Sequence, residues 1–178
     1  MRGRLRLQRD DGFTLIELMV VVLILGILVT IALPTFLGAR ERAYDSAAQQ
    51  DLRTSVATAK TIYASTGDYR GLTFSDMQQA EPAIDYVGPA VVSSDANGYA
   101  VSVAVYTTLL DPAYGEVNLA RLSGSDRCYY VRVIEAQSQA VANDSPGVYY
   151  GWRTGMAATC RGSTISGYGT TAASFPGW

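Results

Sequence analysis

One carboxylate stands where a carboxylate is costly. Glu17 lies within Gly12-Phe13-Thr14-Leu15-Ile16-Glu17-Leu18-Met19-Val20 and is the single charge between Asp11 and Arg40. From Leu18 to Ala39 no side chain is ionisable. As a helix rising roughly 1.5 Å per residue, that run is about 33 Å long, enough to cross a bilayer. A lone carboxylate carried to mid-membrane costs about 2.5–3.5 kcal/mol or more. Glu17 therefore calls for a compensating partner, and the identity of that partner bears directly on function.

Other reactive residue types are sparse. The chain has no histidine and a single lysine, Lys60. Histidine-based triads, imidazole metal sites and Schiff-base chemistry at any other position are thereby excluded. The loop acids Asp95, Asp111, Glu116, Asp126 and Asp144 have no EF-hand spacing, so calcium needs a convergence that only the fold can supply. Tyr149, Tyr150, Trp152, Tyr168, Phe175 and Trp178 offer either an adhesive surface or core packing. Gly167-Tyr168-Gly169 lacks any phosphate-loop pattern.

The elements that position these residues are legible from spacing. From Leu18 to Leu33 apolar residues surround the helix on every side, which fits lipid or sister helices and no soluble core. Beyond Arg40 the pattern turns amphipathic. Ala43, Ala47, Ala48, Leu52, Val56, Ala59, Ile62 and Tyr63 form the apolar face, with Glu41, Asp45, Gln49, Gln50, Asp51, Arg53 and Lys60 on the wet side. Gly67 offers a left-handed cap, so one helix is expected from Phe13 to about Thr66. Pro34 removes one rung of its ladder and should kink or loosen it. Residues 68–97 read as a connection with a short helix near Phe74–Ala80. Strands are expected at 99–106, with Tyr99, Val101, Val103 and Val105 on the core face, at 128–134 and at 149–153, with a short fourth at 157–160. Asn97-Gly98 and Asn143–Gly147 read as turn and loop. The expected fold class is α+β, a long helix packed on a carboxy-terminal antiparallel sheet.

Gly-Phe-Thr-Leu-Ile-Glu, preceded by a basic leader and followed by an apolar run, resembles the class III signal peptide of type IV pilins. The likeness is close over about residues 1–40 and only one of layout thereafter. It implies cleavage after Gly12 by a prepilin peptidase, methylation of the new amine on Phe13, and assembly roles for Glu17 and Pro34. It also implies four segments: a leader at 1–12, a transmembrane and assembly helix at 13–39, an amphipathic helix half at 40–67 and a globular head at 68–178. The implied partners are membrane lipid before assembly, the peptidase, a pilus assembly platform with its ATPase, and further copies in a helical homopolymer. No enzymatic activity and no cofactor are implied.

The residues make physical sense of that likeness. Gly12 has no side chain to obstruct a protease cleft. Arg2, Arg4, Arg6 and Arg9, set against Asp10 and Asp11, hold the amino end in the cytoplasm under the positive-inside rule and send the remainder out. In a filament, Glu17 can neutralise the amine of a neighbour's Phe13, which offsets both desolvation costs and sets subunit register. Removing the leader's four Arg and two Asp from 14 basic and 16 acidic residues leaves 10 against 14, a formal charge of −4. That argues against a nucleic-acid-binding head as a whole.

Cys128 and Cys160, in a chain whose bulk is exported, most economically form one disulfide, the alternative being two free thiols. A redox site lacks its Cys-x-x-Cys spacing. In pilins such a bond commonly ties the carboxy-terminal region to the sheet. Competing readings are a secretory signal peptide cut near Leu37–Ala39, a soluble protein with one very apolar core helix, and a membrane-tethered extracellular binding or enzymatic domain. The nearest is a pseudopilin of a type II secretion or competence apparatus.

Overall fold

The computed structural model describes residues 12–106, 115–135 and 146–167. The leader before Gly12, Asp111, most of the Asn143–Gly147 loop and the aromatics Tyr168, Phe175 and Trp178 lie outside these residues.

The chain divides at Arg40 into two compact units. Helix α1, Leu15–Thr66, contributes to both and is 52 residues long. It starts two residues later than the spacing suggests, because Thr14 is its cap. It ends where expected: Gly67 takes φ +81° and its N–H donates to the Tyr63 carbonyl at 2.7 Å. The helix continues through Pro34, which leaves the Thr30 carbonyl without its usual donor. Nearby, the Thr30 and Thr35 hydroxyls donate to the carbonyls of Gly26 and Ile31.

In the second unit α1 is followed by α2 (Phe74–Ala80), β1 (Tyr86–Val87), β2 (Val101–Tyr106), β3 (Glu116–Leu122), β4 (Arg127–Ile134) and β5 (Gly147–Thr154). Short 3-10 helices lie at Asp95–Asn97, one turn, and Gly162–Gly167, two turns. The five strands form one sheet in chain order. Three of its four pairings are antiparallel, whereas β1 runs parallel to β2, so the sheet is mostly and not wholly antiparallel. α2 follows its expected bounds because Thr73 and Asp76 close a reciprocal capping box.

Val101, Val103, Val117, Leu119, Tyr129, Val131 and Val133 face α1 and pack with its Ala48, Leu52, Val56 and Ala59. The other face is buried as well. There Ala120, Leu122, Cys128 and Tyr130 cluster with Cys160, and Tyr106 donates to the Ser163 carbonyl at 2.7 Å. Cys128 and Cys160 are joined, with S–S 2.05 Å. A Cβ on Gly162 would lie 2.7 Å from the Asn118 carbonyl oxygen and 2.8 Å from the Ala104 nitrogen, so the chain after Cys160 lies directly on the sheet. At the outer edge of β1 the Gln78 amide accepts from the Tyr86 N–H at 2.9 Å and donates to the Ile84 carbonyl at 3.0 Å.

Several expectations are corrected. Ala43 and Ala47 are exposed, whereas Asp45 is buried, Asp51 is paired to Arg121 on β3 and Lys60 to Glu135 just after β4. Tyr99 precedes β2, has φ 61° and packs on the disulfide side. Residues 157–160 form a turn, and β1 and β3 are additional strands.

Candidate functional site

The amino-terminal unit presents its apolar side chains outward. Phe13 is 85 % exposed and Ile16 69 %, and the large apolar residues from Leu18 to Leu37 are all exposed. Among the described residues α1 is the one helix long and apolar enough to cross a membrane. Among the described residues nothing covers this segment, which suits it to lipid or to another molecule.

Glu17 does have an intrachain partner, and the sequence carried its signal. Glu17 Oε2 accepts from the Thr14 N–H at 3.0 Å and from the Thr14 hydroxyl at 2.8 Å. In return the Glu17 N–H donates to Thr14 Oγ1 at 3.3 Å. Thr14-x-x-Glu17 is therefore a capping box, which satisfies amino-terminal N–H groups and sets a negative charge against the positive end of the helix dipole. The Thr14-x-x-Glu17 spacing is the sequence signal of that cap, beyond the charge of Glu17 alone. Both bonds fall on Oε2, and the carboxylate borders an open notch lined by Phe13, Ile16, Val20 and Val21. The glutamate thus caps its own helix while standing beside a recess in an exposed apolar surface. Gly12, at the expected cleavage point, has none of the described residues beyond its chain neighbours within 4 Å of where a Cβ would stand. Pro34 lies one helical stretch further on, within the same exposed segment.

Among the described residues the other candidates stand at separate places, apart from Asp95 and Asp126. Glu116 opens β3 and forms an ion pair with Arg132 across the strands, so it is not a loop acid. Asp95 and Asp126 border a shallow depression with Tyr99 and Ser123. Among the described residues no three His, Cys, Asp or Glu side chains are grouped to hold a metal. Tyr149 and Tyr150 are half-buried, and Trp152 is 37 % exposed, with the Arg127 guanidinium 5.3 Å from its ring centre. That stacking is a cation–π contact within the head.

Comparison with known proteins places this geometry. The family described as the prokaryotic N-terminal methylation motif matches residues 7–33. The type IV narrow pilus major component PilA5 of Thermus thermophilus is 35 % identical over 53 % of this chain and 78 % of its own length. The type IV major pilin PilA of Myxococcus xanthus is 35 % identical over 54 % of this chain, but the match spans only 39 % of that relative. The type II secretion system core protein G of Aeromonas hydrophila is 44 % identical over 25 % of this chain and 32 % of its own length. No solved structure gives a significant match. With a methylation motif at its amino end, a bare apolar helix and an α+β head, the chain belongs to the type IV pilin and pseudopilin family, whose members are structural subunits and not enzymes.

Proposed function

We propose that the chain is the subunit of a type IV pilus filament, cut after Gly12, methylated on Phe13, stored in the cytoplasmic membrane and polymerised through the amino-terminal half of α1. The observation that carries this reading is the exposed apolar run from Phe13 to Leu37 on a helix whose later half is built into a folded head. In the bilayer, lipid covers that run, with the amino end in the cytoplasm. In a filament, sister helices cover it, and Glu17 exchanges part of its self-capping for the methylated amine of a neighbour's Phe13. Prepilin peptidase, an assembly platform and its ATPase are the partners this route requires. Electron microscopy with antibody against the head tests it: labelled surface fibres support a pilus, and chain found only in membranes, without fibres, overturns it.

The pseudopilin reading shares the same helix and the same processing. The extent of similarity favours the pilin, since the pilin relatives match 53–54 % of this chain and the Aeromonas secretion protein 25 %. Loss of protein secretion with fibres intact in a strain lacking the chain would favour the pseudopilin.

A further inference from the structure

Asp45 is the first residue of α1 to be buried, and it is buried by polar partners. Its Oδ1 accepts from the Ser123 hydroxyl at 2.8 Å and from the Ser125 hydroxyl, and its Oδ2 accepts from Arg127 Nη1 at 2.6 Å. All three donors belong to the turn joining β3 to β4 or to the first residue of β4. Within that turn, a Cβ on Gly124 would stand 2.9 Å from the ring of Tyr44, so the turn lies flat on α1. Asp126 closes it with φ 63°, a conformation that costs an ordinary residue energy unless its surroundings hold it. Apolar burial of α1 begins only at Ala48 and Leu52. The helix is thus joined to the head by two kinds of contact in series, a polar cluster first and the apolar core after it.

We propose that Asp45 and the Ser123–Arg127 turn form a clasp that opens as a unit of its own and sets where fraying of α1 from its amino-terminal side stops. The reasoning is energetic. Core contacts at Leu52, Val56 and Ala59 are lost only when the head unfolds, whereas the clasp rests on a few hydrogen bonds to one carboxylate. Its opening uncovers the Tyr44 ring and leaves the buried side chains from Ala48 onward in place, so it belongs to the low-energy end of local unfolding. Arg127 also stacks on Trp152, which couples the clasp to β5.

Hydrogen exchange read by mass spectrometry on the full-length chain in detergent micelles tests this. In Asp45→Asn and in the milder Ser125→Ala, amides of residues 41–47 and 123–127 should exchange about tenfold faster or more, the equivalent of one lost hydrogen bond to a charged group. Residues 52–64 and 129–134 should keep their wild-type rates. Lys60→Met, which breaks the ion pair at the far end of the helix, should leave residues 41–47 unchanged. Acceleration shared by 52–64 and 129–134, no acceleration in either variant, or the same effect from Lys60→Met would overturn the clasp. Should Asp45→Asn fail to fold, Ser125→Ala decides alone.

Discussion

Lys60 on α1 lies 3.1 Å from the carboxylate of Glu135, which immediately follows β4. Asp45, fifteen residues earlier, pairs with Arg127, the first residue of that strand. Fifteen helical residues cover about 22 Å and eight strand residues about 26 Å, so within the head α1 and β4 run side by side in the same direction with matched lengths. Between these ends Asp51 meets Arg121 on β3 at 2.8 Å. The helix offers minus, minus, plus and the sheet answers plus, plus, minus. Part-exposed pairs of this kind contribute only about 0–1 kcal/mol each. Their larger effect is on register, because a slide of one helical turn would break all three together.

Processing gives the first prediction. The chain isolated from membranes or filaments should begin at Phe13 and carry one methyl group on that amine. Intact-mass measurement checks it, and a chain retaining Met1 or starting beyond Ala39 would refute it.

The two functions assigned to Glu17 separate by mutation. Thr14→Val removes the cap and should loosen the start of α1 by about 0.5–2 kcal/mol while keeping the charge. Glu17→Ala removes both cap and charge and strands the neighbouring amine, at about 3–5 kcal/mol for a buried contact. Thr14→Val should therefore still assemble, whereas Glu17→Ala should be processed, remain at normal membrane levels and form few fibres. Fibre counts by electron microscopy settle it: wild-type numbers from Glu17→Ala would remove the pairing from the mechanism.

The back of the sheet supplies a third test. No thiol should label in the denatured, unreduced protein. Cys160→Ser should lower head stability by about 2–4 kcal/mol through the unclosed loop. Gly162→Ala, whose new methyl meets main-chain atoms of β2 and β3, should cost about 1–3 kcal/mol with the disulfide intact. Urea midpoints measure both, and an unchanged midpoint for Gly162→Ala would mean that this segment does not rest on the sheet.

Alkaline stability follows from two phenols. Burial pushes the Tyr69 hydroxyl well above its ordinary 10.0, reinforced by the Glu135 carboxylate, and burial likewise raises Tyr86. A raised folded-state value means that these groups favour the fold fully below pH 10.0 and progressively less above it. Phenolate absorbance should thus show a late fraction appearing together with unfolding. Tyr69→Phe and Tyr86→Phe should each remove part of that fraction, and ionisation of every tyrosine near 10 before unfolding would contradict the burial.

The elements readable from sequence are those set by neighbouring residues. Gly67 ends α1, Thr73 starts α2, and Gly98 takes the left-handed turn at φ 65°. What was not readable depends on distant partners. The wet-side acids Asp45 and Asp51 find Arg127 and Arg121 some seventy to eighty residues away. β1 is two residues long and exists only through its pairing with β2. β3, despite Val117 and Leu119 in alternation, carries Glu116, Asn118 and Arg121 and so hides among loop-like polar residues. At the amino end the reverse held: Thr14-x-x-Glu17 was local and visible, but an acid before an apolar run draws attention to its charge and away from its geometry.

The Gln78 amide has a consequence for crowding. By bonding the Tyr86 N–H and the Ile84 carbonyl just before β1, it occupies outward backbone groups at the start of that strand and so blunts the edge against a strand from another chain. Heads held shoulder to shoulder at the density of a fibre are in the situation where open edges seed cross-β aggregates. A side chain that blunts the β1 edge disfavours zippering on that side of the sheet, so that crowding there need not become strand exchange.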